Sequence, residues 1–315
     1  MRTMLLFVLL IMLYQSACNS TIERSTSFSF IETDGEIELM EGSDPVLVYQ
    51  KAVKSPNGKD FFNNYIHPLY SLGGDTITEE FPADHLHHRG IFWAWHQIYV
   101  DTLSIGDGWM MENIANDIVS VQTNKNRNSA LLTISVLWNS PGYKNHTPFL
   151  QEHTTITVHK SKEDYRMIDF KIALTPLIPD LWIGGSEDEK GYGGFSTRIK
   201  TPEDLIFTSQ GGAVTPQNLP IGAGSWMDFT GSLGNSNKLS GLILLCHPAT
   251  PNYKAPWILR QHSSMQNIVF PGRDKVPLSL ESPTVLQYRL ILHDRSADRF
   301  DIAKFQSDYN NEPVY

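Results

Sequence analysis

The chain has 315 residues, with 25 Lys and Arg against 34 Asp and Glu for a formal net charge of −9, and 41% of its positions are hydrophobic. That is a globular composition with material for one large core, and the acidic balance without any Lys/Arg-rich run excludes a protein held on nucleic acid by phosphate contacts.

The first element follows Arg2. Residues 4–14 are continuously apolar but too short to span a bilayer, and Gln15-Ser16-Ala17-Cys18 places two small side chains before a cysteine. Residues 1–17 therefore read as a signal of bacterial lipoprotein type. Cys18 is the expected site of lipidation, although Gln15 stands where an aliphatic residue is usual. The protein is expected in the cell envelope, anchored on the periplasmic or outer-membrane face; secretion is the alternative. A lipidated Cys18 would leave Cys246 alone, without a disulfide partner. The Ser/Thr-rich residues 18–34 read as a flexible tether, and 35–315 as a single domain.

From there, strand-length segments recur between Gly, Pro, Asn and Asp clusters, at 45–51, 91–100, 118–123, 130–139, 151–160, 165–174, 241–246 and 285–293. In 165–174, Ile168, Phe170, Ile172 and Leu174 alternate with Met167, Asp169, Lys171 and Ala173, the period of a half-buried strand. Helical periodicity appears only near the C-terminus, where Ser296 can cap a helix beginning at Ala297 with Phe300 and Ala303 on its apolar side. The expected fold is all-β: a large antiparallel sandwich with a short C-terminal helix.

Five of the eleven histidines, His67, His85, His87, His88 and His96, fall within one stretch. If 84–89 is extended, His85, His87 and Arg89 share one face while Asp84 and His88 point the other way. Imidazoles exchange protons near neutral pH, which favours acid–base catalysis by His87 or His88, with Arg89 orienting a substrate. His-x-His could instead supply two metal ligands, with a third from His153, Glu152 or His67; a hydrogen-bonded corner is the plainest alternative. Glu152 is the candidate carboxylate partner, beside His153. Tyr192 and Arg198 leave the Gly-rich loop 184–194, which carries Glu187, Asp188 and Glu189. His247 ends an apolar strand. The sequence has no nucleophile elbow, phosphate loop, Cys-x-x-Cys pair or His-Glu-x-x-His helix, and no cofactor is expected. Cys246, in an apolar strand, should be inert.

Tyr65-Ile66-His67-Pro68-Leu69-Tyr70, the run from Phe81 to Trp95, and later blocks at 192–198, 247–260 and 286–294 resemble the bacterial PmoA-like family, whose function is largely unknown; Leu86 stands where that family more often has proline. The family label comes from a methane oxygenase subunit that lies in the bilayer, but no apolar run after the signal is long enough to cross one. The resemblance implies kinship with the galactose-mutarotase type of large β-sandwich and a place in bacteria that dismantle polysaccharides. The expected partner is therefore a sugar or oligosaccharide. Trp95 and Trp257 could stack on its rings, Trp257 because a loop precedes it. Arg89, Arg198 or Arg260 would have to grip any uronate locally, and His67, His85 and His247 complete the candidate binding set. A carbohydrate-active lyase, hydrolase or isomerase using His and Glu is the leading reading. A non-catalytic glycan-binding lipoprotein and a metal-dependent enzyme are the alternatives.

Overall fold

A computed structural model describes residues 27–312; the signal and Cys18 lie outside the described residues. Two large antiparallel sheets face each other. The nine-stranded sheet runs, edge to edge, Gly212–Ala213, Ile206–Ser209, Trp226–Gly231, Ser240–Cys246, Thr284–His293, Tyr165–Pro176, Leu150–His159, Ser129–Asn139 and Ala115–Lys125. The eight-stranded sheet runs Phe28–Glu32, Glu36–Glu41, Asp44–Gln50, Tyr65–Leu69, Ile91–Ala94, Gly194–Thr197, Gln266–Ile268 and Trp257–Ile258. Period-two burial builds the larger sheet: Ala130, Leu132, Ile134 and Val136 pair across to the inward residues of Leu150–His159, which pair in turn with Ile168, Phe170 and Ile172. The inner faces meet through aromatic contacts, Trp93 with Phe170 and Phe195 with Tyr288, in one continuous apolar cluster. This is the expected sandwich.

Four local expectations fail. Residues 28–32 are strand and not tether, because Phe28 is buried and Phe28–Glu32 pairs antiparallel with Glu36–Glu41. The apolar segment 91–100 is two strands in different sheets: Ile91–Ala94 belongs to the eight-stranded sheet, whereas Gln97–Val100 joins a four-stranded sheet with Val276–Pro277, Leu181–Gly184 and Leu103–Gly106. The break falls at Trp95 and His96, where the Trp95 carbonyl accepts the amides of Gly108 and Trp109 instead of a ladder partner. The C-terminal helix is Ile302–Asn310, capped by the Asp301 side chain, and only a 3-10 turn, Ala297–Arg299, follows Ser296. Finally, 84–89 is not extended. Among the described residues no helix is long and apolar enough to cross a membrane.

Candidate functional site

Two consecutive tight turns span 82–88, in place of the extended run considered for 84–89. The His85 amide donates to the Pro82 carbonyl and the His88 amide to the His85 carbonyl, each at 2.9 Å. Gly90, at φ +50°, closes the segment against the Ile66 carbonyl, where a Cβ would have no room. Three-residue spacing brings His85 and His88 onto one side, with ring centroids 4.5 Å apart and planes 1° from parallel. The His87 ring meets His88 edge-on at 4.5 Å. The three imidazoles thus converge, though not by the pairing that a strand would impose.

Two of the three candidate arginines, Arg198 and Arg89, are committed to the protein itself. Arg198, buried on the strand-end after Gly194–Thr197, donates to Glu79 Oε2 at 2.8 Å and to Asp84 at 3.3 Å, and its Nη1 lies 3.2 Å from His88 Nδ1. It holds the histidine turn in place, with all three guanidinium nitrogens engaged within the protein. Arg89 turns inward, its guanidinium 4.9 Å from the Phe62 centroid and 4.5 Å from that of Phe92, and it donates to the His87 carbonyl at 2.8 Å. Burial pulls it down to about 9, still protonated at neutral pH. Burial, reinforced by the neighbouring positive groups, also lowers His87 to about 4 and His88 further, so both imidazoles are neutral at pH 7.

The open part of the site is organised by His96, which the strand break turns out of the sheet. Its Nδ1 lies 2.7 Å from Asp107 Oδ2, while Asp107 Oδ1 accepts the amides of Trp109 and Met110 at 2.8 and 2.9 Å. An ionised carboxylate has no proton to give, so Asp107 places the imidazole proton on Nδ1 and leaves Nε2 as an acceptor. That Nε2 is buried and has no protein partner. The ring stacks on Trp109 at 5.3 Å, and Tyr192 meets it edge-on at 4.9 Å. Desolvation, with Asp188 and Asp107 nearby, raises Tyr192 and keeps its hydroxyl protonated. His96 and Asp107 form one wall of a cavity of about 530 Å³ shared with Tyr99, Glu112, Asn113 and Glu187. Trp109 also touches His88 at 6.3 Å between centroids, joining the histidine turn to this cavity wall.

None of the four catalytic candidates lines the cavity: Tyr192 packs against the His96 ring, and His88 is joined to that ring through Trp109. His87 partly faces outward, as does His85, whose Nδ1 sits 3.1 Å from Asp84. Glu152 does not join them. It is sealed in the core, accepting from Asn64 at 3.1 Å, Trp138 at 3.0 Å and Thr154 at 2.8 Å, because its place in the strand points it between the sheets; burial raises its pKa. Trp95 and Trp257 are buried too, their indole N–H groups bonded to the carbonyls of Phe270 and Gly224, so neither is a platform. His67 pairs with Thr78. His247 lies under the C-terminal helix beside Tyr309, on the other sheet. Arg260 spends its guanidinium on the carbonyls of Gln217, Leu259 and Asn218. Cys246 is free and buried, its thiol pushed up to about 12 by burial.

The residues that sequence reasoning missed are Asp107, Glu112 and Asn113, together with a use for His96 and Glu187. One local signal was available: Asp107-Gly108-Trp109 can form a side-chain-capped turn, which fixes an aspartate rigidly. Its closeness to His96 depends on the Gln97–Val100 and Leu103–Gly106 pairing. The third metal ligands proposed from sequence are elsewhere: His153 is exposed against Ser135, and Glu152 and His67 are engaged as above. Among the described residues no group of three His, Cys, Asp or Glu is placed to hold a metal ion.

No curated protein matches the sequence. The crystal structure of a Salmonella typhimurium protein named "putative mutarotase (YeaD)" aligns over 85% of this chain and 94% of its own at 11% identity, with a TM-score of 0.37. A family model described as a family of unknown function (DUF6807) matches residues 36–306. This match overturns the PmoA-like assignment suggested by the motifs around His67 and His85: the chain belongs to the family of unknown function DUF6807.

Proposed function

We propose that this protein is an acid–base enzyme acting on an uncharged sugar or oligosaccharide in the cavity beside His96. The observation that carries the reading is the His96–Asp107 pair, which lines the cavity and whose Nε2, buried and without a protein partner, belongs to a ring packed against Trp109 and Tyr192. Asp107 sets the tautomer, and His96 Nε2, once a substrate reaches it, takes a proton and returns it, with the protonated Tyr192 packed against the ring. His87 and His88, neutral at pH 7, do not line the cavity and stand outside this chemistry. Removal of one proton and delivery of another serve epimerisation, elimination or hydrolysis at a polyhydroxylated ring alike. A cavity of about 530 Å³ lies within the roughly 300–1,000 Å³ common for small-molecule sites.

The test is a product screen by proton NMR on neutral mono- and disaccharides with the wild type, His96→Asn and Asp107→Asn. Turnover should fall by about 10²–10⁴-fold in His96→Asn, the usual contribution of a general acid or base. Unchanged turnover in that variant would remove His96 from the chemistry. Binding without product across the whole panel would identify a glycan-binding protein instead. We further propose that the protein is held in the cell envelope by a lipid on Cys18. Cys18→Ala should then move it from the membrane fraction to the soluble fraction and abolish palmitate labelling.

A further inference from the structure

A second hollow of about 390 Å³ shares Asn113 as a lining residue with the His96 cavity. The two are also neighbours along the chain. Glu112 and Gly142 face the first, Met111 and Pro141 the second. Met111 and Asn113 both hold left-handed backbone, at φ +57° and +56°, on either side of Glu112. That conformation is uncommon at a methionine and readily adopted by an asparagine.

The walls of the second hollow have a definite chemistry. In the hairpin that carries Phe61 and Phe62, period-two alternation sends Phe62 into the core at 0% exposure and leaves Phe61 facing out at 55%, with Val53 beside it at 57%. Opposite, Asn63 donates to the Asn116 carbonyl at 3.0 Å, while the buried Asn116 Oδ1 has no donor at all. A flat aromatic face and an unmatched acceptor are complementary to a ring with one apolar face and hydroxyl groups at its edge. None of the three arginines expected to grip a uronate lines either hollow, and Asp107, Glu112, Glu187 and Asp117 bring negative charge against the single lysine Lys59 of the second hollow.

Resting on the functional reading above, we propose that the second hollow is a subsite for the next ring of the substrate, so that the protein takes an uncharged disaccharide or longer glycan, with one unit at His96 and its neighbour stacked on Phe61. Titration calorimetry of the full-length protein with glucose against cellobiose and maltose, and with galactose against lactose, tests this. At least one disaccharide should bind more tightly than its monosaccharide. Phe61→Ala should weaken that disaccharide about tenfold, the scale of one aromatic contact, and leave the monosaccharide unchanged; Phe61→Trp should retain the advantage. Phe61 is exposed, so neither variant threatens the fold. The subsite is overturned if no disaccharide gains over its monosaccharide, or if Phe61→Ala weakens both equally or neither. Those results would leave a His96-dependent monosaccharide turnover standing, whereas failure of every sugar to bind would overturn both proposals.

Discussion

The guanidinium of Arg198 lies 2.8 Å from Glu79 and 3.2 Å from the His88 ring, so a single buried cation joins one sheet strand to the turn that gathers three histidines. The arginine acts as a strut. Its carboxylate partners Glu79 and Asp84 are 35% and 36% exposed, so water shares in stabilising them. Removal of a fully buried partner typically costs 3–5 kcal/mol, and partial exposure reduces that. Arg198→Ala should therefore lower stability by about 2 kcal/mol and loosen the histidine turn, which urea unfolding and the His85 and His88 ring resonances would report. A variant with unchanged stability but lost sugar affinity would restore the ligand-gripping role expected from sequence.

His87, at about 4 in the folded state against an ordinary value near 6.5, makes stability depend on pH. Between these values the unfolded chain binds the proton and the folded chain resists it, so stability rises with pH. The contribution is complete above pH 6.5 and is lost as pH falls towards 4. His88, lowered further, acts in the same direction. Thermal melts should show a falling midpoint over that window, and His87→Gln should flatten part of the slope. A midpoint equally steep in the variant would contradict the assignment.

Glu152 is expected to matter for the fold and not for chemistry. It accepts from Asn64, Trp138 and Thr154 with no route to the His96 cavity among these contacts. Glu152→Gln turns one acceptor into a donor facing donors. It should cost about 1–3 kcal/mol of stability, the penalty of an unmatched buried polar group. Turnover per folded molecule should remain near the wild-type value, measured below the melting range.

Cys246, raised to about 12, should be silent to thiol reagents in the native protein and react fully once unfolded. A disulfide-exchange colour assay with and without guanidinium distinguishes the two states. Rapid native labelling would mean that the strand Ser240–Cys246 opens locally.

Much of the sandwich was legible in the sequence because burial on a sheet repeats every second residue. The alternations at Ser129–Asn139 and Tyr165–Pro176 specify inward faces without reference to any distant partner. Phe28–Glu32 was hidden by the polar composition around it, and the continuous apolar run 91–100 concealed a change of sheet at Trp95 and His96. Apolarity records that a segment is buried but not against which neighbour.

Local composition by itself determined the all-β class, the concentration of histidines in one stretch and the inertness of Cys246, since each depends on residues near in sequence. Tertiary structure alone decided that Arg89 would lie between two phenylalanines, that Glu152 would face the core, and that His96, not yet singled out, would meet Asp107 beside Tyr192. A site is a coincidence of side chains from different strands. Its geometry follows from strand pairing, a sheet break and two tight turns, each set by contacts between segments far apart along the chain.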